Sequence, residues 1–308
     1  GDQWPYMDHT EPGKANVMIA GRNFRTVLDR CWDTNRRIAE MPEEGIDKQV
    51  LSPMPELLAY QLSPEDGRDS SRYLNEVIAR MMDFAPDRFY GLGTVPMQDA
   101  QMATAELAKV KELGLHGVEI MTNINGKNLG DAEFRPFFKE AESLSLSIFV
   151  HGQRPTFKDR FVGPGMLENA IGFPIENALS LASVITGKVL EECPNIRMCF
   201  SHGGGVFAQL LPRMENAWNK MAPMKELLPK APSEYARMVY YDDIFFNMSA
   251  LRFLIDTVGI NQVLIGSDYP FMFRDPKPLD EFKALGLNIS EQEAISSINC
   301  LRFLGIAE

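Results

Sequence analysis

The stretch Arg197-Met198-Cys199-Phe200-Ser201-His202-Gly203-Gly204-Gly205 decides how this chain folds. Three apolar residues lead through a serine to one histidine, and three glycines follow before helical periodicity begins at about Phe207. A short apolar run without alternation is the pattern of a strand buried on both faces, the condition of a parallel sheet covered by helices. The glycines let the backbone turn sharply and leave space beside the imidazole. One histidine at a strand end is as readily a satisfied polar residue as a catalyst. Its meaning depends on whether other strands end in the same way.

Two of them do. Ser147-Ile148-Phe149-Val150-His151 ends on a second histidine, and Val263-Leu264-Ile265-Gly266-Ser267-Asp268 ends on a carboxylate. Further strands read at 48–54, 88–96, 116–121 and 244–247. Helical patterns follow them at about 70–84, 100–113, 134–144, 175–193, 207–221 and 249–258, with two more at about 277–285 and 290–303. Short apolar strands alternating with helices predict a parallel sheet built through right-handed crossovers. Seven such units are present, whereas a closed (β/α)8 barrel has eight. The opening, 1–25, is rich in Pro, Gly and polar residues around one apolar piece, Val17-Met18-Ile19-Ala20, and reads as loop with a small hairpin. From 26 to 41 the pattern reads as helix. Since 1–25 does not supply the eighth strand, either the sheet is open or strand one lies upstream of residue 1.

With 308 residues the chain fits one barrel domain of the usual size, about 250 residues plus decoration, so 1–308 is read as a single domain. A hydrophobic content of 45% against 24% charged residues is that of a soluble globular protein with a large core. The formal net charge of -11 argues against nucleic acid and against an anionic membrane as partner. An anionic small molecule stays compatible, because a few arginines reverse the field inside a pocket. Cys31, Cys193, Cys199 and Cys300 form no CxxC pair, and Cys199 lies within a buried strand, which favours reduced thiols and a cytoplasmic protein. No apolar run approaches the roughly 20 residues needed to span a bilayer.

In barrels of this type the C-terminal strand ends build the active site, so His151, His202 and Asp268 are expected to converge. Imidazole and carboxylate donors there suit a divalent metal such as zinc with an open coordination position. Asp268 taken singly also reads as a turn or cap residue. His116, at the opposite end of its strand, and His9, in the polar opening, read as surface residues. Arg25 and Arg213 are each, taken singly, solvated charges, though a guanidinium pairs well with a carboxylate.

Together Asn23-Phe24-Arg25, Cys31-Trp32-Asp33, Phe149-Val150-His151, Cys199 to Gly205 and Gly266-Ser267-Asp268-Tyr269-Pro270-Phe271 resemble the amidohydrolase-2 family, and within it the aminocarboxymuconate-semialdehyde decarboxylases. The resemblance covers nearly the whole chain. It implies a (β/α)8 barrel with a small β insertion after strand one, one divalent metal, usually zinc, and a small carboxylated substrate that is unsaturated or aromatic. Carried over by motif, it implies that His151 and Asp268 are metal ligands, and that His202 acts as the acid–base group with Asp268 beside it. Arg25 and Arg213 would hold substrate carboxylate, Arg213 reaching across a homodimer. The activity implied is metal-dependent, non-oxidative decarboxylation. A hydrolase or hydratase on the same barrel is the nearest alternative, and a metal-free binding protein or inactive fragment is another. Two departures bear on this. The family's strand-one His-x-His pair, which supplies two metal ligands, occurs nowhere in the sequence, so metal is expected to be weakly held or absent in this chain. After His151 the family's Pro-Trp-Asp is replaced by Gly152-Gln153-Arg154.

Overall fold

A computed structural model describes residues 4–271, 279, 282 and 284–306. The chain opens with β1 (Tyr6–Glu11), β2 (Lys14–Ile19) and β3 (Arg22–Leu28), an antiparallel meander separate from the main sheet. Next come β4 (Gln49–Leu51), β5 (Phe89–Gly93), β6 (Gly117–Met121) and a short ribbon of β7 (Asn123–Ile124) and β8 (Lys127–Asn128). Then follow β9 (Ser147–His151), β10 (Met198–Phe200), β11 (Tyr240–Asp242) and β12 (Val263–Leu264). Leaving the ribbon aside, β4 to β12 form one sheet in the order β12-β11-β10-β9-β6-β5-β4, with every neighbouring pair parallel. Spatial order therefore equals chain order, as successive right-handed crossovers require.

The register shows why these strands read as continuous apolar runs. Ile120, Val150, Phe200, Tyr241 and Val263 belong to the large outer core, where they meet Leu107, Phe137, Leu181 and Leu254 of the helices. The alternate residues point the other way: Leu92, Phe149, Cys199, Tyr240 and Leu264 form a second, interior cluster closed at one end by Phe303. Val50 of one edge strand and Leu264 of the other lie in that same cluster, so the sheet curls on itself. The chain has the curled, helix-covered parallel sheet of a (β/α)8 barrel, seven strands of it among the described residues, with β4 and β12 as the edges. Each fully buried side chain such as Phe200 contributes about 1.5–3 kcal/mol by leaving water.

Several elements differ from the sequence reading for local reasons. The helix expected from 70 begins at Pro64, because the Ser63 hydroxyl accepts from the Asp66 amide and Pro64 occupies the first turn. The opening is not loop with a hairpin but three paired strands. The third runs through Leu28, so the helix expected from 26 starts only at Thr34, where the Asp33 carboxylate accepts the amides of Asn35 and Arg36. The sixth strand is Tyr240–Asp242 and not 244–247; Phe246 is 61% exposed, in a loop. The helix expected at 277–285 falls largely outside the described residues. The helix expected at 290–303 is present as Ile289–Glu293 and Asn299–Leu304, joined by a π turn at Ala294–Ile298. All four cysteines are free, with Cys193 and Cys199 buried. No described helix is long and apolar enough to cross a membrane.

Candidate active site

His151 is the last residue of β9, and its Nδ1 lies 2.9 Å from the Gly152 carbonyl oxygen. That carbonyl can only accept, so Nδ1 carries the proton and Nε2 is left as a free donor atom. Burial, and after it the neighbouring His202, push the His151 pKa down to about 3. The ring is therefore neutral, the form that binds a metal.

His202 stands just past the end of β10 in a left-handed conformation, φ 52° and ψ 45°. The turn is held by Asp242, whose Oδ1 accepts the amide of Gly203 at 2.9 Å and that of Ile244 at 3.2 Å. Two of the glycines are obligatory here. A Cβ at Gly203 would stand 2.0 Å from the Phe245 ring, and one at Gly205 would stand 1.9 Å from the Pro174 carbonyl oxygen. Both residues also have positive φ. The imidazole so placed lies against Phe173, and its ring centroid is 5.1 Å from that of His151.

Asp268, four residues beyond β12, also has a left-handed backbone, φ 55°. One ligand atom each from His151, His202 and Asp268 lie within 4.8 Å of one another, all three side chains being half-buried. Ligands held about 2.1 Å from one ion stand up to about 4.2 Å apart, so this donor set fits a divalent cation with a small contraction. The three strand-end residues singled out in the sequence thus come together.

The arginines are placed differently. Arg25, on β3, donates from Nη2 to Glu56 Oε1 at 3.0 Å and lies over the Phe271 ring, 4.7 Å from its centroid. Its charge reaches His151, where it helps lower the imidazole pKa. The opening meander packs through Ala15, Val17 and Val27 onto Met54, Leu57 and Phe271, and so carries Arg25 to the rim. Arg213 is exposed on the helix Phe207–Lys220 and does not join the cluster within one chain. His9 is exposed, edge-on to Trp32. His116 is half-buried, edge-on to Tyr90.

The amidohydrolase family matches residues 8–306. The chain belongs to that family. Among curated amidohydrolase relatives, it is 36% identical over 306 residues to the 2-amino-3-carboxymuconate-6-semialdehyde decarboxylase of Dictyostelium discoideum, covering 98% of this chain and 85% of that one. The 5-carboxyvanillate decarboxylase of Sphingomonas paucimobilis superposes with a TM-score of 0.82 at 25% identity, over 89% of this chain and 84% of that one. A dihydroxybenzoic acid decarboxylase from Polaromonas, solved with manganese and 2-nitroresorcinol, shares the fold with a TM-score of 0.75 at 22% identity, over 88% and 85%.

Two parts of this amidohydrolase site escaped the sequence reading. Asp242 and Asp243 are buried acceptors that tie strand ends together, Asp243 taking the Gly266 amide at 2.7 Å. Glu119, on β6, is in register with Phe149 of the interior cluster and is 1% exposed. Burial above all raises its pKa to about 8; a hydrogen bond from the Ser52 hydroxyl, next in size, opposes it, and the Glu56 and Asp268 carboxylates add lesser upward effects. The signal was available: a strand covered on both faces offers no solvent side, so a glutamate within it must face the barrel interior.

Glu119 should leave a mark on stability. Its folded pKa of about 8 stands above the ordinary 4.5, so between those values the folded chain holds a proton the unfolded chain has lost. Stability is then present at low pH and lost as pH rises toward 8, by up to about 1.4 kcal/mol per pH unit. His151, lowered from 6.5 to about 3, acts oppositely and costs stability as pH falls through that window. In urea melts from pH 5 to pH 8, Glu119→Gln should remove the alkaline decline. An unchanged decline in the variant would show that Glu119 is not its source.

Proposed function

We propose that this chain releases carbon dioxide from a small unsaturated or aromatic acid at the cluster of His151, His202 and Asp268. It is a non-oxidative decarboxylase, a carboxy-lyase of the amidohydrolase family. The observation that carries the placement is the convergence of one ligand atom from each of those three residues within 4.8 Å at strand ends. His151 Nε2 and the Asp268 carboxylate would hold a divalent metal. The donor set of imidazole nitrogen and carboxylate oxygen, without thiolate, suits zinc and equally manganese, the ion in the Polaromonas enzyme. When bound, such an ion supplies positive charge where negative charge develops.

The remaining roles fall to the chain itself. Arg25 takes the substrate carboxylate, exchanging its pairing with Glu56 for a charge-assisted pair with the ligand. His202 moves a proton at the reacting carbon or its neighbouring oxygen, from an imidazole set by the Asp242-anchored turn. Phe173 and Phe149, beside the histidines, keep water from the carboxylate that leaves. Candidate substrates are 2-amino-3-carboxymuconate-6-semialdehyde and hydroxylated benzoates, the compounds the similar enzymes are named for. The test is carbon dioxide release from each, with zinc or manganese supplied; turnover of none, in folded metal-loaded protein, would reject the reading.

A homodimer completes the proposal. Ile175 and Leu179, one turn apart on Phe173–Thr186, and Leu210, one turn before Arg213 on the adjoining helix, are 37%, 44% and 49% exposed. An apolar face beside an exposed arginine suits burial against a second copy that receives Arg213 in its site. Mixing Arg213→Ala with His202→Ala subunits should then restore part of the activity, since some hybrid sites carry neither substitution. No recovery after verified subunit exchange would contradict a shared site. The free buried thiols fit a reducing compartment such as the cytoplasm.

A further inference from the structure

The interior holds three buried carboxyl oxygens without a well-formed hydrogen bond among the described residues, both oxygens of Glu119 and Oε2 of Glu56, the Ser52 hydroxyl being the donor that stands nearest Glu119. A buried acceptor left without a donor costs about 1–3 kcal/mol, more for a charged group. These two side chains come from different elements, β6 and the loop after β4, and the carboxylates act on one another and on Asp268. Glu119 is 1% exposed and shares its layer with Phe149, one step beneath His151 on the neighbouring strand. It stands outside the His151, His202 and Asp268 cluster, whose mutual 4.8 Å reach does not extend to it. On the far side of Glu56, Oε1 is held by Arg25 at 3.0 Å. Arg25, a cation that takes carboxylate, is thus followed by Glu56 Oε2 and by a Glu119 carboxyl that keeps its proton below about pH 8, which together leave acceptor oxygens for an N–H or O–H group.

We infer that Glu119, with Glu56, forms a subsite for a hydrogen-bond donor substituent, an amino or hydroxyl group, on the carboxylated substrate, and so sets which acids this enzyme accepts. The inference rests on the decarboxylase reading above and adds a specificity determinant to it. A ligand whose carboxylate meets Arg25 lays its neighbouring substituent toward Glu56 and Glu119. An amino or hydroxyl group there satisfies the orphaned oxygens. A methyl or hydrogen leaves them buried and unpaired, and discrimination of this kind is steep because the site's own polar groups go unsatisfied.

The test is equilibrium binding, which does not depend on turnover. Benzoates carrying amino, hydroxyl or methyl at each ring position are titrated into manganese-equilibrated wild-type protein, Glu119→Gln and Glu119→Leu, with thermal melts to establish that each variant is folded. Wild type should bind the best amino or hydroxyl compound about tenfold or more tightly than its methyl counterpart, and Glu119→Leu should bring that ratio close to one. Glu119→Gln, which keeps one acceptor oxygen, should fall between; if Glu119→Leu does not fold, Glu119→Gln carries the test. Amino and hydroxyl arms tell which donor the subsite takes. An equal ratio in wild type and variants would overturn the inference. So would loss of manganese affinity in the variants with the ligand ratio unchanged, since the carboxyl would then serve the metal. If the ratio behaves as expected while no compound loses carbon dioxide, the subsite stands and the decarboxylase reading fails.

Discussion

Substitution of His202 by alanine is expected to lower the rate of carbon dioxide release about 10²–10⁴-fold, the usual worth of a positioned acid–base group. The same protein should keep its metal nearly intact. His202 borders His151 and Asp268 closely enough to be a third ligand, with atoms inside the same 4.8 Å cluster. Its turn is fixed from below by Asp242, and its Nδ1 lies 3.2 Å from the Ser201 hydroxyl, an arrangement compatible with either role. Metal content and rate measured on one preparation separate the two. If the metal falls in step with activity, His202 is a ligand and the proton is carried elsewhere.

The second large effect belongs to Asp268. Removing this carboxylate by Asp268→Ala should weaken metal binding by more than about 100-fold, beyond what changes in the outer shell of a metal site produce. Carbon dioxide release should fall to background. Asp268→Asn keeps the size and one oxygen but loses the charge, and should fall between alanine and wild type in affinity. The prediction fails if both variants bind metal as wild type does, for the carboxylate would then act only on substrate. Because the interior also holds Glu119 and Glu56, removing Asp268 should bring the Glu119 pKa down from about 8, as the loss of a neighbouring like charge requires.

Much of this arrangement was legible in the sequence. Strands buried on both faces read as bare apolar runs, so β9 and β10 and the histidines that close them stood out. The glycines after His202 marked the turn. What misled was polarity in the wrong place. Tyr240-Tyr241-Asp242 ends in a buried aspartate that accepts two amides, which disguises a strand, while Phe245 and Phe246 imitate one from a loop. The meander β1–β3 was legible only as the small β insertion that the family resemblance implies; its own residues conceal it because its first strand is exposed throughout and only Ala15, Val17 and Val27 are buried in it. Glu119 was passed over as one polar residue in an apolar strand, although in a barrel such a residue has nowhere to face but inward. Arg213 could be named from the motif it matches, yet in the single chain it lies exposed on its helix, away from the cluster.

The central claim is that this amidohydrolase-family chain removes carboxylate without an oxidant at the His151, His202 and Asp268 cluster. It is tested most directly by following a carboxyl-labelled substrate, 2-amino-3-carboxymuconate-6-semialdehyde or a dihydroxybenzoate, under anaerobic conditions with the protein chelated and then resupplied with manganese or zinc. The account predicts labelled carbon dioxide only after resupply, in amounts equal to the substrate consumed, and none from metal-loaded Asp268→Ala. Consumption of substrate with the label kept in a hydrated or hydrolysed product, or label released equally well by the variant, would contradict it.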